Sequence, residues 1–100
     1  MEPTYDPATS SARLKLGGDL NMEVAERLKV VFRGITEKGV FNIVLDFQEV
    51  KIIKSVCIGL LVSVHKTVSA KGGAIRILNT TPNVRKIFEI TRLVDLLNVS

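Results

Sequence analysis

The segment FNIVLDF, Phe41 to Phe47, constrains the fold of this chain more than any other stretch. A mainly apolar run of this length is typical of a strand whose two faces are both covered, as in a largely parallel sheet. Parallel strands are joined by crossover connections, which are usually helices. The run therefore predicts a central strand, with Ile43 to Phe47 in the middle of the sheet and helices before and after it.

Upstream of this run, the pattern changes from a strand period to a helix period. The segment ARLKL at 12–16 alternates apolar and polar residues as a half-buried strand does, and GGDLN supplies the glycines of a turn. Asn21 is a suitable N-cap, and the apolar residues after it recur every three or four positions until Gly39. This spacing predicts a first helix between Asn21 and Gly39.

Downstream, the same alternation is repeated. The segment SVCIGLLVSVHKTVSAKGG, which begins at Ser55, is long enough for a helix and closes at paired glycines. A strand over Val56 to Val64 is the alternative, but no polar residue interrupts the segment early enough to turn a hairpin. AIRILN then predicts a short strand, and Thr81 as N-cap with Pro82 at the first helical position predicts a last amphipathic helix.

These elements predict an α/β fold, a small sandwich with a mixed four- to five-stranded sheet and helices mainly on one face. One domain occupies residues 12–100, because a chain of 100 residues is long enough for one core and too short for two. Residues 1–11 form an N-terminal segment with at most a short edge strand, since YDPATSS contains a proline turn.

Composition removes several classes of partner and cofactor. The net charge is +4, but Lys and Arg are scattered and Trp is absent, so no nucleic-acid surface is expected. The longest uncharged stretch, Ser55 to His65, is too short to span a bilayer, and the N-terminus lacks the order of a signal peptide. We therefore expect a cytoplasmic protein that does not insert into membranes.

Side chains suited to catalysis or metal binding are also few. One Cys and one His are too few for a protein-only metal site or an internal disulfide. No glycine-rich phosphate loop occurs, and no acid, base and nucleophile can be assembled from the sequence. We expect no catalytic residues, no cofactor and no enzyme activity.

Four motifs follow one another in a diagnostic order, and together they resemble the STAS domain of bacterial anti-sigma factor antagonists and sulfate-transporter tails. The motifs are LGGDLN at Leu16–Asn21, IVLDFQEVKIIKS at Ile43–Ser55, KGGAIRILN, and VRKIFEITRLVDLL. The resemblance covers Ala12 to Leu97. It implies a STAS-like sandwich with closing helices in the last motif. It also implies a regulatory module, involved in transcription control, that binds an anti-sigma factor which is also a serine kinase.

The same resemblance places Ser55 where the partner kinase phosphorylates such antagonists. A helix start has unpaired N–H groups and a partial positive charge, which suit a phosphate of charge about −1.5 to −2. The alternative is that Ser55 only caps the helix, a role worth about 1 kcal/mol. The sequence favours the cap, because Lys54 stands where the family has Asp, and Val56 and Cys57 stand where it has small residues.

The expected partner-binding residues are Asp46, Lys54, Ser55, Val56 and Cys57. Asp46 is expected at a strand end, where binding sites often lie. Cys57 is expected to pack as a small buried side chain, and His65 to lie on a helix flank. If Ser55 is not phosphorylated, the domain scaffolds a transporter complex or a signalling particle. The chain stops soon after Leu97, where the family often has another helix, so we also expect weak self-association.

Overall fold

The computed structural model describes residues 1–100 and contains four strands and three helices. The elements in chain order are β1 (Thr4–Asp6), β2 (Ser11–Leu20), α1 (Met22–Glu37), β3 (Asn42–Ile53), α2 (Ser55–Ser69), β4 (Ala74–Leu78) and α3 (Pro82–Ile90). The sheet has the order β1-β2-β3-β4, in which β1 is antiparallel to β2 and the other pairs are parallel. The predicted mixed α/β fold is confirmed.

The parallel strands bury one face of the sheet. Register partners form cross-strand rows, and the side chains of the two buried rows are each at most 1% exposed. These rows are Ala12–Ile43–Ile75 and Leu14–Leu45–Ile77. α1 packs against β2 and α2 on this face, α2 also contacts β3 and β4, and the Phe88 ring of α3 lies 6.1 Å from that of Phe47. The helices therefore lie on one face, as predicted.

The opposite face of β3 is open, so the prediction that both faces of FNIVLDF are covered is wrong. Asn42 is exposed and Val44 is half-buried. Val44 lies between Arg13 and Arg76 in its cross-strand row. Long arginine stems can cover an apolar neighbour while their charged heads stay in water. An apolar residue on this face is therefore compatible with a sheet covered by helices on one side only.

β2 runs further than the sequence predicts. β2 continues through Gly17 and Gly18 to Leu20, so GGDLN is not a turn. The register to β3 shifts between Lys15 and Gly17 and again after Gly18, which has a φ of 69°. Glycine provides the left-handed backbone that such β-bulges need. The glycines therefore bend the strand without ending it.

The helix starts follow their predicted caps where a capping side chain is present. The Val24 amide donates to Asn21 Oδ1 at 3.1 Å, and the Val84 amide donates to Thr81 Oγ1 at 3.4 Å. Capping bonds of this kind satisfy one of the unpaired amides at a helix start. The predicted N-caps of α1 and α3 are confirmed.

The resemblance implied closing helices in the last motif, but the chain after α3 does not form a second one. Arg92 has a φ of 59°, and a left-handed residue at this position ends the helix. The last residues lie along β4, where the Ser100 amide donates to Ile77 O at 2.8 Å, and Leu97 and Val99 are buried. This tail occupies the outer edge of β4. Self-association stays a prediction.

The packing of α2 predicts a large effect of one substitution. Leu61 is 1% exposed, so Leu61→Ala should lower the free energy of unfolding by about 2 to 5 kcal/mol through lost burial and a cavity. Val30→Ala on α1 is the control, because Val30 is 67% exposed and its replacement should change stability by less than about 0.5 kcal/mol. Urea titration measures both. Equal effects would contradict the burial of this face of α2.

Candidate functional site

The starts of α1 and α2 are held side by side at the end of the sheet where β2 and β3 finish. Leu20 and Ile53 are the last residues of these strands and are register partners. The helix caps Asn21 and Lys54 follow directly. The Lys54 amide donates to Leu20 O at 2.9 Å, and Cys57 Sγ donates to Asn21 O at 3.3 Å. These two bonds fix the position of the first turn of α2.

Ser55 is the first residue of α2 and not its cap, so the capping role that the sequence favoured is wrong. The cap position belongs to Lys54, which has an extended backbone (φ −87°, ψ 157°) and makes no side-chain capping bond. An N-cap hydroxyl reaches back to amides of the first turn because its own backbone is not helical, and Ser55 is already helical. The Ser55 side chain is exposed, and its hydroxyl makes no capping hydrogen bond.

The first turn of α2 is electrically positive. Its amide groups at Ser55 and Val56 have no backbone acceptor, and no acidic side chain lies in this turn. Unpaired amides and the helix dipole together favour an anion at such a position. Lys51 and Lys54 are exposed nearby in the chain, while the exposed acids at this end are Asp19, next to the last residue of β2, and Glu23, in the first turn of α1. A phosphate on Ser55 would meet mainly favourable charge.

An apolar rim, formed by Met22, Ile52 and Val56, belongs to the same end of the molecule. Their side chains are 67%, 44% and 36% exposed. Met22 is the first residue of α1, and Ile52 is paired with Asp19 at the end of β3. Exposed apolar groups beside a polar loop are typical of a protein-binding surface. Sequence reasoning found Val56 but missed Met22 and Ile52, since their exposure depends on where the strands end.

Cys57 packs in the core beneath the exposed first turn of α2. Its side chain is 0% exposed, and burial raises the pKa of the thiol, which keeps the proton that it donates to Asn21. The predicted packing role of Cys57 is therefore confirmed. Of the expected partner-binding residues, Cys57 offers no surface of its own, whereas the exposed side chains of Lys54, Ser55 and Val56 do.

Asp46 lies far from this loop and inside β3, so its expected place at a strand end is wrong. The strand continues from Asp46 to Ile53. At ~3.3 Å per residue, this puts Asp46 roughly 20 Å from the start of α2. Asp46 shares the open face of the sheet with Arg13, its ion-pair partner at 3.7 Å. The structure therefore does not bring Asp46 and Ser55 together.

The Asp46 carboxylate is bound within its own part of the sheet. It accepts hydrogen bonds from the Gln48 amide at 3.0 Å and from Asn79 Nδ2 at 3.2 Å. The Gln48 amide is the main reason that the pKa of Asp46 lies below its usual value, with Asn79 and Arg13 adding to the effect and burial opposing it. This network ties β3 to the residue that follows β4.

The lowered pKa of Asp46 predicts how stability depends on pH. A carboxyl whose pKa is lower in the folded state stabilises the fold above its unfolded pKa of about 3.9, and the contribution is lost as pH falls through the folded pKa. Asp46→Asn should therefore be less stable than wild type at pH 7, and the difference should shrink below about pH 4.

Urea titration at several pH values measures this difference. Asp95→Asn is the matched control, because Asp95 is exposed and makes no ion pair. A gap between wild type and Asp46→Asn that stays constant down to pH 2 would show that the charge of Asp46 is not what stabilises the fold.

The single histidine and the acidic residues do not assemble a metal site. His65 is half-buried on α2, and its Nδ1 atom is buried with no hydrogen-bond partner. No three His, Cys, Asp or Glu side chains come close enough together to hold a metal ion. None of the three helices combines the length and the apolar character needed to cross a bilayer.

A mixed sheet with its helices on one face, and with one helix starting directly after the central strand, is the arrangement that the resemblance to STAS domains implies. The family model described as "Mlab, STAS domain" matches residues 4–98. The chain therefore belongs to the STAS domain family.

Among known relatives, the chain is similar to anti-sigma factor antagonists. It is 28% identical over 87 residues to the anti-sigma-B factor antagonist of Staphylococcus aureus strain NCTC 8325, covering 87% of this chain and 81% of that protein. The chain is thus a STAS domain of the kind found in anti-sigma factor antagonists.

Two solved structures share the fold. One comes from Thermotoga maritima and is described as a candidate anti-sigma factor antagonist, with a TM-score of 0.88, 24% identity, and coverage of 98% of this chain and 83% of that one. The other is the Bacillus cell fate determinant SpoIIAA in its phosphorylated form, with a TM-score of 0.74, 20% identity, and coverage of 99% and 91%.

Proposed function

We propose that this chain is a non-catalytic binding module that docks on an anti-sigma factor with serine kinase activity, and that phosphorylation of Ser55 releases it. The observation that carries the proposal is the free, exposed hydroxyl of Ser55 at the first position of α2. The similarity to the anti-sigma-B factor antagonist supports the class of partner. Such a partner implies that the domain acts in the cytoplasm.

Access to Ser55 is better than its neighbours in the sequence suggested. Cys57 turns into the core, so its side chain does not narrow the approach to the hydroxyl. Val56 is partly exposed and belongs to the apolar rim. A kinase can therefore contact the rim through apolar surface while it approaches the Ser55 oxygen.

A phosphate on Ser55 would alter this surface in two ways. It would place a charge of about −1.5 to −2, with its hydration shell, beside the apolar rim, where burial by a partner would then cost free energy. The free amides of α2 and the Lys54 ammonium would hold the phosphate in place. Phosphorylation would therefore weaken binding while the domain stays folded.

Lys54 favours a second candidate, a scaffold that is not phosphorylated. A lysine next to the serine neutralises part of a phosphate charge and so weakens an electrostatic switch. In this case the same rim and loop would bind a partner in a larger assembly, and Ser55 would be an ordinary surface residue. The two candidates share a surface and differ in the chemistry at Ser55.

Phosphate transfer from an anti-sigma factor kinase that binds this chain separates the candidates. Wild type should incorporate label, Ser55→Ala should lose it, and Ser63→Ala, which removes another exposed serine of α2, should keep it. Lys54→Asp should raise the rate, because an acid at a helix start is favoured by the dipole and restores the residue type implied by the family. No label on wild type or on Lys54→Asp would leave the scaffold as the function.

Binding to the same kinase tests the release step. Ser55→Asp should weaken binding because it adds a charge beside the rim, whereas Ser55→Ala should bind like wild type, since Ser55 makes no capping bond. Ala at this position should also leave stability within about 0.5 kcal/mol of wild type. Equal binding by Ser55→Asp and wild type would contradict release by phosphorylation.

A further inference from the structure

A groove of about 270 Å³ lies between α1 and α2, away from the start of α2 at Ser55. Each helix lines it with four residues spaced i, i+3, i+4 and i+7, the spacing of one helix face. Phe32, Leu60 and Val64 provide its apolar part, and Lys29, Arg33 and Ser63 are among its polar residues. The groove is therefore lined by both apolar and polar side chains.

Positive charge dominates this groove. Lys29 and Arg33 line it, and no acidic residue does. Lys29 is paired with Glu26 at 3.2 Å, but Arg33 makes no ion pair and its side chain is exposed. The two other hollows of the surface differ in this respect, because one is lined by Glu89 and Asp95 and the other by Glu2. Of the three hollows, only the α1–α2 groove combines apolar lining residues with basic residues and has no acidic residue in its lining.

The size of the groove limits what can fill it. Pockets for drug-sized ligands are about 300 to 1,000 Å³, so this groove is slightly smaller than that range. The four lining residues of each helix extend over two helical turns, roughly 10 Å. That length suits a short chain or a single ring and is too short for a long partner helix.

We propose that the α1–α2 groove binds a small amphipathic anion of about ten heavy atoms, an apolar body that carries one carboxylate. The guanidinium of Arg33 pairs with the carboxylate, and the Ser63 hydroxyl on the facing helix can donate to it. The apolar body lies mainly on the half-buried Leu60, beside the nearly buried Phe32 and Val64, and covers the apolar area that they leave exposed. The site is independent of Ser55, which lies roughly 12 Å along α2 from Ser63.

Octanoate is the probe, and titration followed by amide NMR shifts is the measurement. Octanoate should give saturable shifts at groove residues of both helices. Octylamine, which has the same chain and the opposite charge, and acetate, which lacks the apolar body, should give none. Saturable binding of octylamine or acetate at the same residues, or no saturation by octanoate, would overturn the proposal.

Two variants assign the binding to the groove. Arg33→Gln should weaken octanoate binding about five-fold, the scale of one exposed charged contact. Arg27→Gln is the matched control, because Arg27 is also an exposed arginine of α1 but does not line the groove. Ser63→Leu should abolish binding by filling the groove from an exposed position. Equal affinities of the two arginine variants, or undiminished binding by Ser63→Leu, would place octanoate elsewhere and refute the site.

Discussion

The parallel pairing of β3 with both of its neighbours determines where every other functional part of this domain lies. On the β4 side the pairing begins with a close contact, where the Ala74 amide donates to Phe41 O at 3.1 Å. A Cβ atom on Gly73 would overlap that carbonyl oxygen, so only glycine allows the chain to enter β4 here. Parallel strands added in order bring both crossover helices back over one face. α1 and α2 are therefore neighbours that start at the same end of the sheet.

This arrangement separates two kinds of surface on one helix. The start of α2 presents free amides, the exposed Lys54 and the apolar rim. Further along, α2 has no charged residue until Lys66, and the charges of the α1–α2 groove come from α1. An anion at the start of α2 would meet the amides of α2 and the Lys54 side chain, whereas the positive charge of the groove comes from the neighbouring helix α1.

Features set by neighbouring residues could be predicted from the sequence, and features set by distant residues could not. The caps Asn21 and Thr81 depend on a side chain and an amide three residues away, and both were predicted. The path of β2 through Gly17 was not, because a bulge is defined only by the partner strand. Ser55 looked like a cap because capping residues are recognised by type, whereas the backbone of Lys54 decides which residue holds the position.

The bond from Cys57 Sγ to Asn21 O joins the two helix starts through a buried thiol with a raised pKa. The thiolate is the nucleophile that reacts with thiol reagents, and burial suppresses the thiolate here, so the native first turn of α2 is protected from modification. Reaction requires the first turn of α2 to open far enough to admit solvent and reagent. The rate at which this single cysteine is modified therefore reports how often the first turn of α2, which begins at Ser55, opens, and the measurement needs no introduced label.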